Sequence, residues 1–336
     1  MKTYLLPRDG QFYKANMHSH TTLSDGKFPP EEIKRVYREA GYSVFAFTEH
    51  TDYHDLRHLA ESDFLPLPSY EIALSNYERP SYLGEDIPSL ELPFRCYSTA
   101  GMHHEVIHMN LFAIDPDHAT PPDISDLKGK PFVQAVNEAV RRAKANGFFV
   151  EFNHPHWSLN RPDSYQGFEG MDALEIINGA AFRSSGLDFV PHVYREMAWC
   201  GQRLVALAGD DNHDTRHFFQ AWTMIKAPEL THGAVMSAVQ AGHCYVSAGP
   251  EIRELYVEDG VLHVTTSEAS GIYFGNGGRR KLAVLQERAD DAPVTHAEFP
   301  LKANDVFFHV IVKDLRGKPA MTQIYYTNDY DWGLTQ

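Results

Sequence analysis

Histidine occupies 19 of the 336 positions of this chain, and several stand where chemistry could be assembled. His18-Ser19-His20 places two imidazoles at i and i+2, which on an extended segment point to one face and can reach one cation. Asp25 follows in Thr22-Leu23-Ser24-Asp25-Gly26, a turn able to bring a carboxylate back to the same place. His50 ends Phe47-Thr48-Glu49-His50, and His154 stands in Asn153-His154-Pro155-His156. Asp211 and His213 close Gly209-Asp210-Asp211-Asn212-His213, while Glu71 and His108 lie between the early and late groups. Mixed imidazole and carboxylate donors suit zinc, manganese or iron rather than magnesium alone.

The elements that must position these groups repeat a simple unit. Pro29-Pro30-Glu31-Glu32 opens a helix, with proline in the first turn and acids at the positive end of the dipole. Ile33, Val36, Tyr37 and Ala40 form its apolar stripe, Gly41 stops it, and the apolar run Tyr42–Phe47 leads into Thr48-Glu49-His50. Phe132–Ala143, Gly147 and Phe148–Phe152 lead in the same way into Asn153-His154. Phe189–Met197, Gly201 and Leu204–Ala208 lead into Gly209–His213. Helix, glycine, buried strand and His-bearing turn together predict an α/β fold with polar residues at strand carboxyl ends, where parallel α/β barrels assemble their sites. The proline-rich stretch 57–107 reads as an inserted loop region, a lid over the site. From about Gly249 the texture turns to strands. Ile252–Val257 and Val261–Thr265 flank an Asp-Gly turn, and Val306–Val312 and Gln323–Thr327 follow, predicting a small, mostly β C-terminal domain over 250–336.

Composition narrows the function. With 30 Lys+Arg against 45 Asp+Glu the formal net charge is −15, which argues against a general binder of duplex nucleic acid. Cys96, Cys200 and Cys244 are too dispersed for a disulfide framework or a C-x-x-C zinc site. No apolar stretch is long enough to span a membrane, and the N-terminus is charged too early for a signal peptide, so a cytoplasmic enzyme is expected.

At the same residues the sequence resembles the polymerase and histidinol phosphatase (PHP) family of metal-dependent phosphoesterases. His18-Ser19-His20-Thr21-Thr22-Leu23-Ser24-Asp25-Gly26 matches the family's opening H-x-H-T-x-x-S-D-G motif. Phe47-Thr48-Glu49-His50 is similar to its T-D-H element with Glu49 in place of Asp. Asn153-His154-Pro155 and Gly209–His213 are similar to its later N-H-P and S-D-x-H elements, and Asn16 stands where Asp is common. The resemblance implies a distorted (β/α)7 TIM-like barrel over 1–249 and a centre of two or three divalent transition metals (Zn, Mn or Fe). One metal would take His18, His20, Glu71 and Asp211. A second would share Glu71 and add His108 and His154, and a third would use Asp25, His50 and His213. The implied activity is hydrolysis of a small phosphorylated molecule by a metal-bridging hydroxide, with Arg183 against the phosphate and His156 protonating the leaving group. Glu78, Glu91 and Glu105 compete with Glu71 for the bridging position, and His156 has a surface role as its alternative.

Other readings stay open at this level. The same site could attack an amide or carbamate. His104-Glu105-Val106-Ile107-His108 spells the H-E-x-x-H zinc-protease signature, which works only on a helix. His103 and His104 approach substrate or line a loop. Gly275-Asn276-Gly277-Gly278-Arg279-Arg280 lacks the Lys-Ser/Thr of a phosphate-binding loop and reads as a β-turn.

Overall fold

The computed structural model describes residues 2–76 and 105–332. Seven strands carry the site: β2 (Gln11–Asn16), β3 (Val44–Phe47), β4 (Leu65–Ser75), β5 (Val106–Ala113), β6 (Phe148–Phe152), β7 (Ala173–Asn178) and β8 (Val205–Gly209), after a short β1 (Lys2–Tyr4). Their order in the sheet is their order in the chain. β2, β3 and β4 pair in parallel, β5 is antiparallel to both β4 and β6, and β6, β7 and β8 are again parallel. β3, β6 and β7 are buried along their whole length, as near-continuous apolar runs require.

Helices α1 (Pro30–Glu39), α2 (Phe132–Ala145), α3 (Pro162–Tyr165), α4 (Gly179–Ser185), α5 (Pro191–Trp199) and α6 (His232–Gln240) fill the connections. α1 starts on Pro30 with Glu31 and Glu32 in its first turn and buries Ile33 and Tyr37, as its spacing predicts. α2 buries Phe132, Val136, Ala139, Val140 and Ala143 against the core, and Gly147 (φ +86°) turns the chain into β6. Among the described residues no helix is long and apolar enough to cross a membrane.

The loop reading of 57–107 is corrected over part of its length, because β4 fills residues 65–75. Its prolines hid it. Pro66 and Pro68 face Phe45 and Phe47 of β3, where the ladder needs the N–H only of the alternate residues, and β5 pairs with β4 only from Ser69 onward. Prolines on a locally free edge cost no ladder bond. Residues 77–104 of the proposed lid, with Glu78, Glu91, Cys96, His103 and His104, lie outside the described residues.

The carboxyl ends of β8 and β2 meet. Asp211 N–H donates to His18 O at 2.8 Å, His20 N–H to Asn212 O at 3.2 Å, and Ser19 and Asn212 form an isolated parallel bridge. Along the strand, the edge of β8 is covered by side chains. Thr223 Oγ1, on β9 (Trp222–Ala227), accepts from Ala208 N–H and donates to Ala208 O.

β9 pairs antiparallel with β2 and β10 (Cys244–Ser247) with β9. The sheet then continues through β17 (Pro319–Met321), β16 (Phe307–Lys313), β13 (Gly271–Asn276) and β14 (Lys281–Leu285), with β18 (Tyr325–Tyr326) beside β16. β11 (Ile252–Glu258) and β12 (Val261–Ala269) form the predicted hairpin, in a second sheet of order β1-β11-β12-β15, with β15 spanning Val294–Pro300. Leu255, Val264, Phe274, Phe299 and Phe308 pack together in a core between the sheets. Only Tyr325 and Tyr326 of the expected strand 323–327 are extended in pairing. Gln323 instead turns its amide inward, accepting from Ala206 N–H and donating to the carbonyls of Ala206 and Cys244.

Candidate metal centre

Strand ends deliver the side chains. His18 and His20 leave β2 fully buried with their Nε2 atoms 3.2 Å apart. His50 follows β3 and forms an isolated parallel bridge with Glu71, inside β4. On β5, His108 sits one pair diagonal to Glu71 (Glu71 faces Asn110 and Ala73 faces His108), a separation their side chains span. His154 follows β6, and Asp211 and His213 follow β8. Asp25 arrives on the loop after His20. That loop is pinned by Gly26 N–H to Thr21 O and Lys27 N–H to His213 O.

Glu71 is the centre of the arrangement. Its carboxylate lies 2.8 Å from His50 Nδ1, 3.0 Å from His108 Nδ1, 3.4 Å from His18 Nε2, 3.5 Å from His154 Nε2 and 3.7 Å from His20 Nε2. Asp211 Oδ1 lies 3.0 Å from His20 Nε2, 3.5 Å from His18 Nε2 and 3.6 Å from His213 Nδ1. Asp25 stands 3.4 Å from His213, 3.6 Å from His50 and 3.9 Å from His20. Donors bound to one tetrahedral ion at about 2.1 Å stand about 3.4 Å apart, so these separations suit shared cations. His20 Nδ1 and His50 Nε2 are buried without a hydrogen-bond partner, which is unfavourable unless something binds them. The residues present fit a site for divalent metal.

A ring of other buried groups orients the donors. Glu175 Oε1 lies 3.0 Å from His18 Nδ1, and its other oxygen accepts from His154 N–H and Asn178 Nδ2. Ser158 Oγ lies 2.9 Å from His154 Nδ1, and Asn153 Nδ2 donates to Glu71 at 2.7 Å. Holding Nδ1 of His18 and of His154 from outside turns both Nε2 atoms inward. Backbone strain accompanies the site, since His154 (φ +24°) and Asp211 (φ +49°) both have positive φ.

Electrostatics follow from burial and these neighbours. Burial would raise Glu71, yet His108, His50 and His18 hold it well below the carboxylate range, and His18 and His20 do the same for Asp211. Burial, with His50 and His213 alongside, pushes His20 down to about 3. His213 is lowered by burial but lifted to about 9 overall by Asp25 and Asp211.

All nine predicted ligands therefore meet. The two other predicted residues form no hydrogen bond or ion pair with them among the described residues. His156 is exposed after Pro155, its backbone N–H donating to Asp188, and Arg183 is exposed in the last turn of α4. Glu105, a competitor of Glu71, is buried elsewhere, accepting from Asn76 Nδ2 and Arg161 N–H. His108 lies in a strand, so the one-turn helical spacing of H-E-x-x-H is absent there. Glu49 faces Thr21 and Ser24 and organises the Asp25 loop. Asp210 accepts from Tyr37 Oη and from the N–H groups of Phe219, Gln220 and Ala221, and Asn16 accepts from Asp210 N–H. Two buried acids beside the site are unanticipated, Glu175 and Glu151, the latter accepting from Asn110 Nδ2 at 3.1 Å. The signal was available as one acid inside each of two otherwise apolar strands, Leu174-Glu175-Ile176 and Val150-Glu151-Phe152.

No protein-family model and no curated protein sequence matches the chain. Solved structures do. A two-domain protein from Bacteroides vulgatus, described as containing a predicted PHP-like metal-dependent phosphoesterase, is 16% identical. The match covers 96% of this chain and 97% of that one at a TM-score of 0.45. The chain is similar to a structure named for the PHP type. An amidohydrolase from Chromobacterium violaceum is 14% identical over 59% of this chain and 87% of that one, with a TM-score of 0.35. The lesion-specific endonuclease PfuEndoQ from Pyrococcus furiosus is 10% identical over 68% of this chain and 56% of that one, with a TM-score of 0.38.

Proposed function

We propose that the chain is a metal-dependent phosphoesterase acting on a small phosphorylated molecule. In this reading β2–β8 form a distorted barrel over 1–249, with residues 250–336 appended and the centre on the face made by the carboxyl ends of the parallel strands and the amino end of the antiparallel β5. The order of the seven strands and the Ser19–Asn212 bridge support the barrel. The observation that carries the function is the Glu71 carboxylate ringed by imidazoles with unpartnered donor atoms beside it. The motif resemblance turns that centre toward phosphate esters.

His18, His20, Glu71 and Asp211 would hold one cation, Glu71, His108 and His154 a second, and Asp25, His50 and His213 a third. Bound there, zinc, manganese or iron would make water acidic enough to attack at neutral pH and would neutralise the nonbridging phosphate oxygens. The chain does the rest. Glu175 and Ser158 fix the faces that His18 and His154 present. Glu71 and Asp211 stay ionised. His156, beyond β6, hands a proton to the leaving oxygen, and Arg183, on the helix beyond β7, offers its fork to the phosphate.

Element-resolved metal analysis of protein purified without chelator tests this first, followed by turnover of phosphomonoesters, cyclic phosphodiesters and amides. The expected result is about two or three transition metals per chain and turnover confined to phosphate esters. Turnover of amides alone moves the reaction to the amidohydrolase reading, and metal-free protein that is fully active overturns the scheme.

A further inference from the structure

A cleft of about 360 Å³ lies between α5 and the strands β13 and β16, and none of its lining residues belongs to the cluster around Glu71. Its lining includes Arg195, Lys281, Lys313 and His192 and no carboxylate, in a chain with 45 acids against 30 bases. Several cations elsewhere stand against acids, Lys34 with Glu61, Arg142 with Asp126, Arg203 with Asp329 and Arg280 with Asp305. Among the described residues no such ion pair engages Arg195, Lys281 or Lys313. A concave surface that gathers unpaired positive charge in an acidic protein is built for an anion.

Buried polar atoms make the same point independently. His309 is 3% exposed, lines the cleft, and its Nδ1 has no hydrogen-bond partner. Arg195 donates one nitrogen to the carbonyls of Asn276 and Gly278, at 3.0 and 3.3 Å, which fixes the guanidinium. Its Nε is buried and unpartnered. The glycine-rich turn after β13 thus anchors an arginine instead of cradling a phosphate itself. Gly275 lies beneath His309, where a Cβ would come 2.5 Å from the imidazole Cε1, so only glycine lets the ring lie there. Burial, with Arg195 alongside, pushes His309 down to about 3, so it is neutral and the charge comes from the arginine and lysines. Tyr273 and Phe189 supply flat apolar walls.

We propose that this cleft binds a small organic phosphate, its dianion on Arg195, Lys281 and Lys313 and its apolar part against Tyr273 and Phe189. The probe is phenylphosphonate, which has no ester to hydrolyse, titrated calorimetrically into the metal-loaded protein. Two classes of site are expected, the metal centre and the cleft. In the double variant Lys281→Glu, Lys313→Glu the cleft class should weaken at least about tenfold, since each lost charge-assisted contact is strong. Turnover should stay unchanged. The double variant Lys128→Glu, Lys302→Glu, with the same net charge, should bind like the parent. Parent-like binding in the Lys281/Lys313 variant, or an equal loss in the control pair, overturns the proposal.

Discussion

Glu71 accepts the attention of five imidazoles, and the balance of that arrangement is delicate. Burial alone would protonate a carboxyl with 1% exposure. The surrounding rings reverse this and keep it ionised. Cations taking the place of ring protons would preserve the same logic with stronger bonds. Glu71→Gln keeps the shape and removes the charge. It should cost at least one metal per chain by elemental analysis and about 100-fold or more in turnover, with the circular dichroism spectrum unchanged. Parent-like metal content and rate would remove Glu71 from the bridging role. Glu175 makes a separate case, because among the described residues it touches the site through His18, His154 N–H and Asn178. Glu175→Gln should weaken metal affinity about 10- to 100-fold by loosening His18, measured by competition with a chromophoric chelator. Unchanged affinity would mean that His18 is oriented by packing alone.

At the scale of elements, the close meeting of β2 and β8 sets the site's dimensions. Gly209, the last residue of β8, has no room for a side chain, since a Cβ would lie 2.4 Å from His18 N and 2.6 Å from His18 Cβ. Gly209→Ala should therefore cost about 1–3 kcal/mol in chemical denaturation and lower metal affinity with it, because the displaced residue is itself a proposed ligand. A loss of stability with undiminished metal affinity would show that the strand ends can part without disturbing the donors. The same elements explain what could be read in advance. β3, β6 and β8 are legible because each is an apolar run after a glycine-stopped helix, and the His-bearing turn follows at once. β4 is not, because Pro66 and Pro68 imitate a loop. That they occupy a locally free edge depends on a partner, β5, some forty positions away. Glu49 and Asp210 sit in the motifs beside the ligands, yet they bind Thr21, Ser24 and backbone amides. Adjacent positions on a strand end point to opposite sides, and a motif does not state which side is inward. Glu175 lies mid-strand, where an acid buried on both faces demands a partner that only the fold identifies.

For the whole molecule, the change of texture near Gly249 marks a change of composition in a structure whose pairing runs through it. β10 pairs with both β9 and β17, and β1, at the start of the chain, pairs with β11. Gln323 adds a side-chain tie. Its amide satisfies the N–H and C=O of Ala206 in β8 and the C=O of Cys244 in β10, and its oxygen also accepts from Tyr194 Oη. A continuous ladder of this kind leaves few weak seams, so calorimetry of the metal-loaded chain should give one cooperative transition. Gln323→Leu would leave a buried N–H and two carbonyls without their partner, a loss of about 2–4 kcal/mol in denaturant titrations. The transition should shift as a unit, because both halves share the disrupted strands. Two separate transitions in the parent, or a Gln323→Leu variant that destabilises only one of them, would show instead that the regions before and after Gly249 fold on their own and that the common sheet is a docking contact.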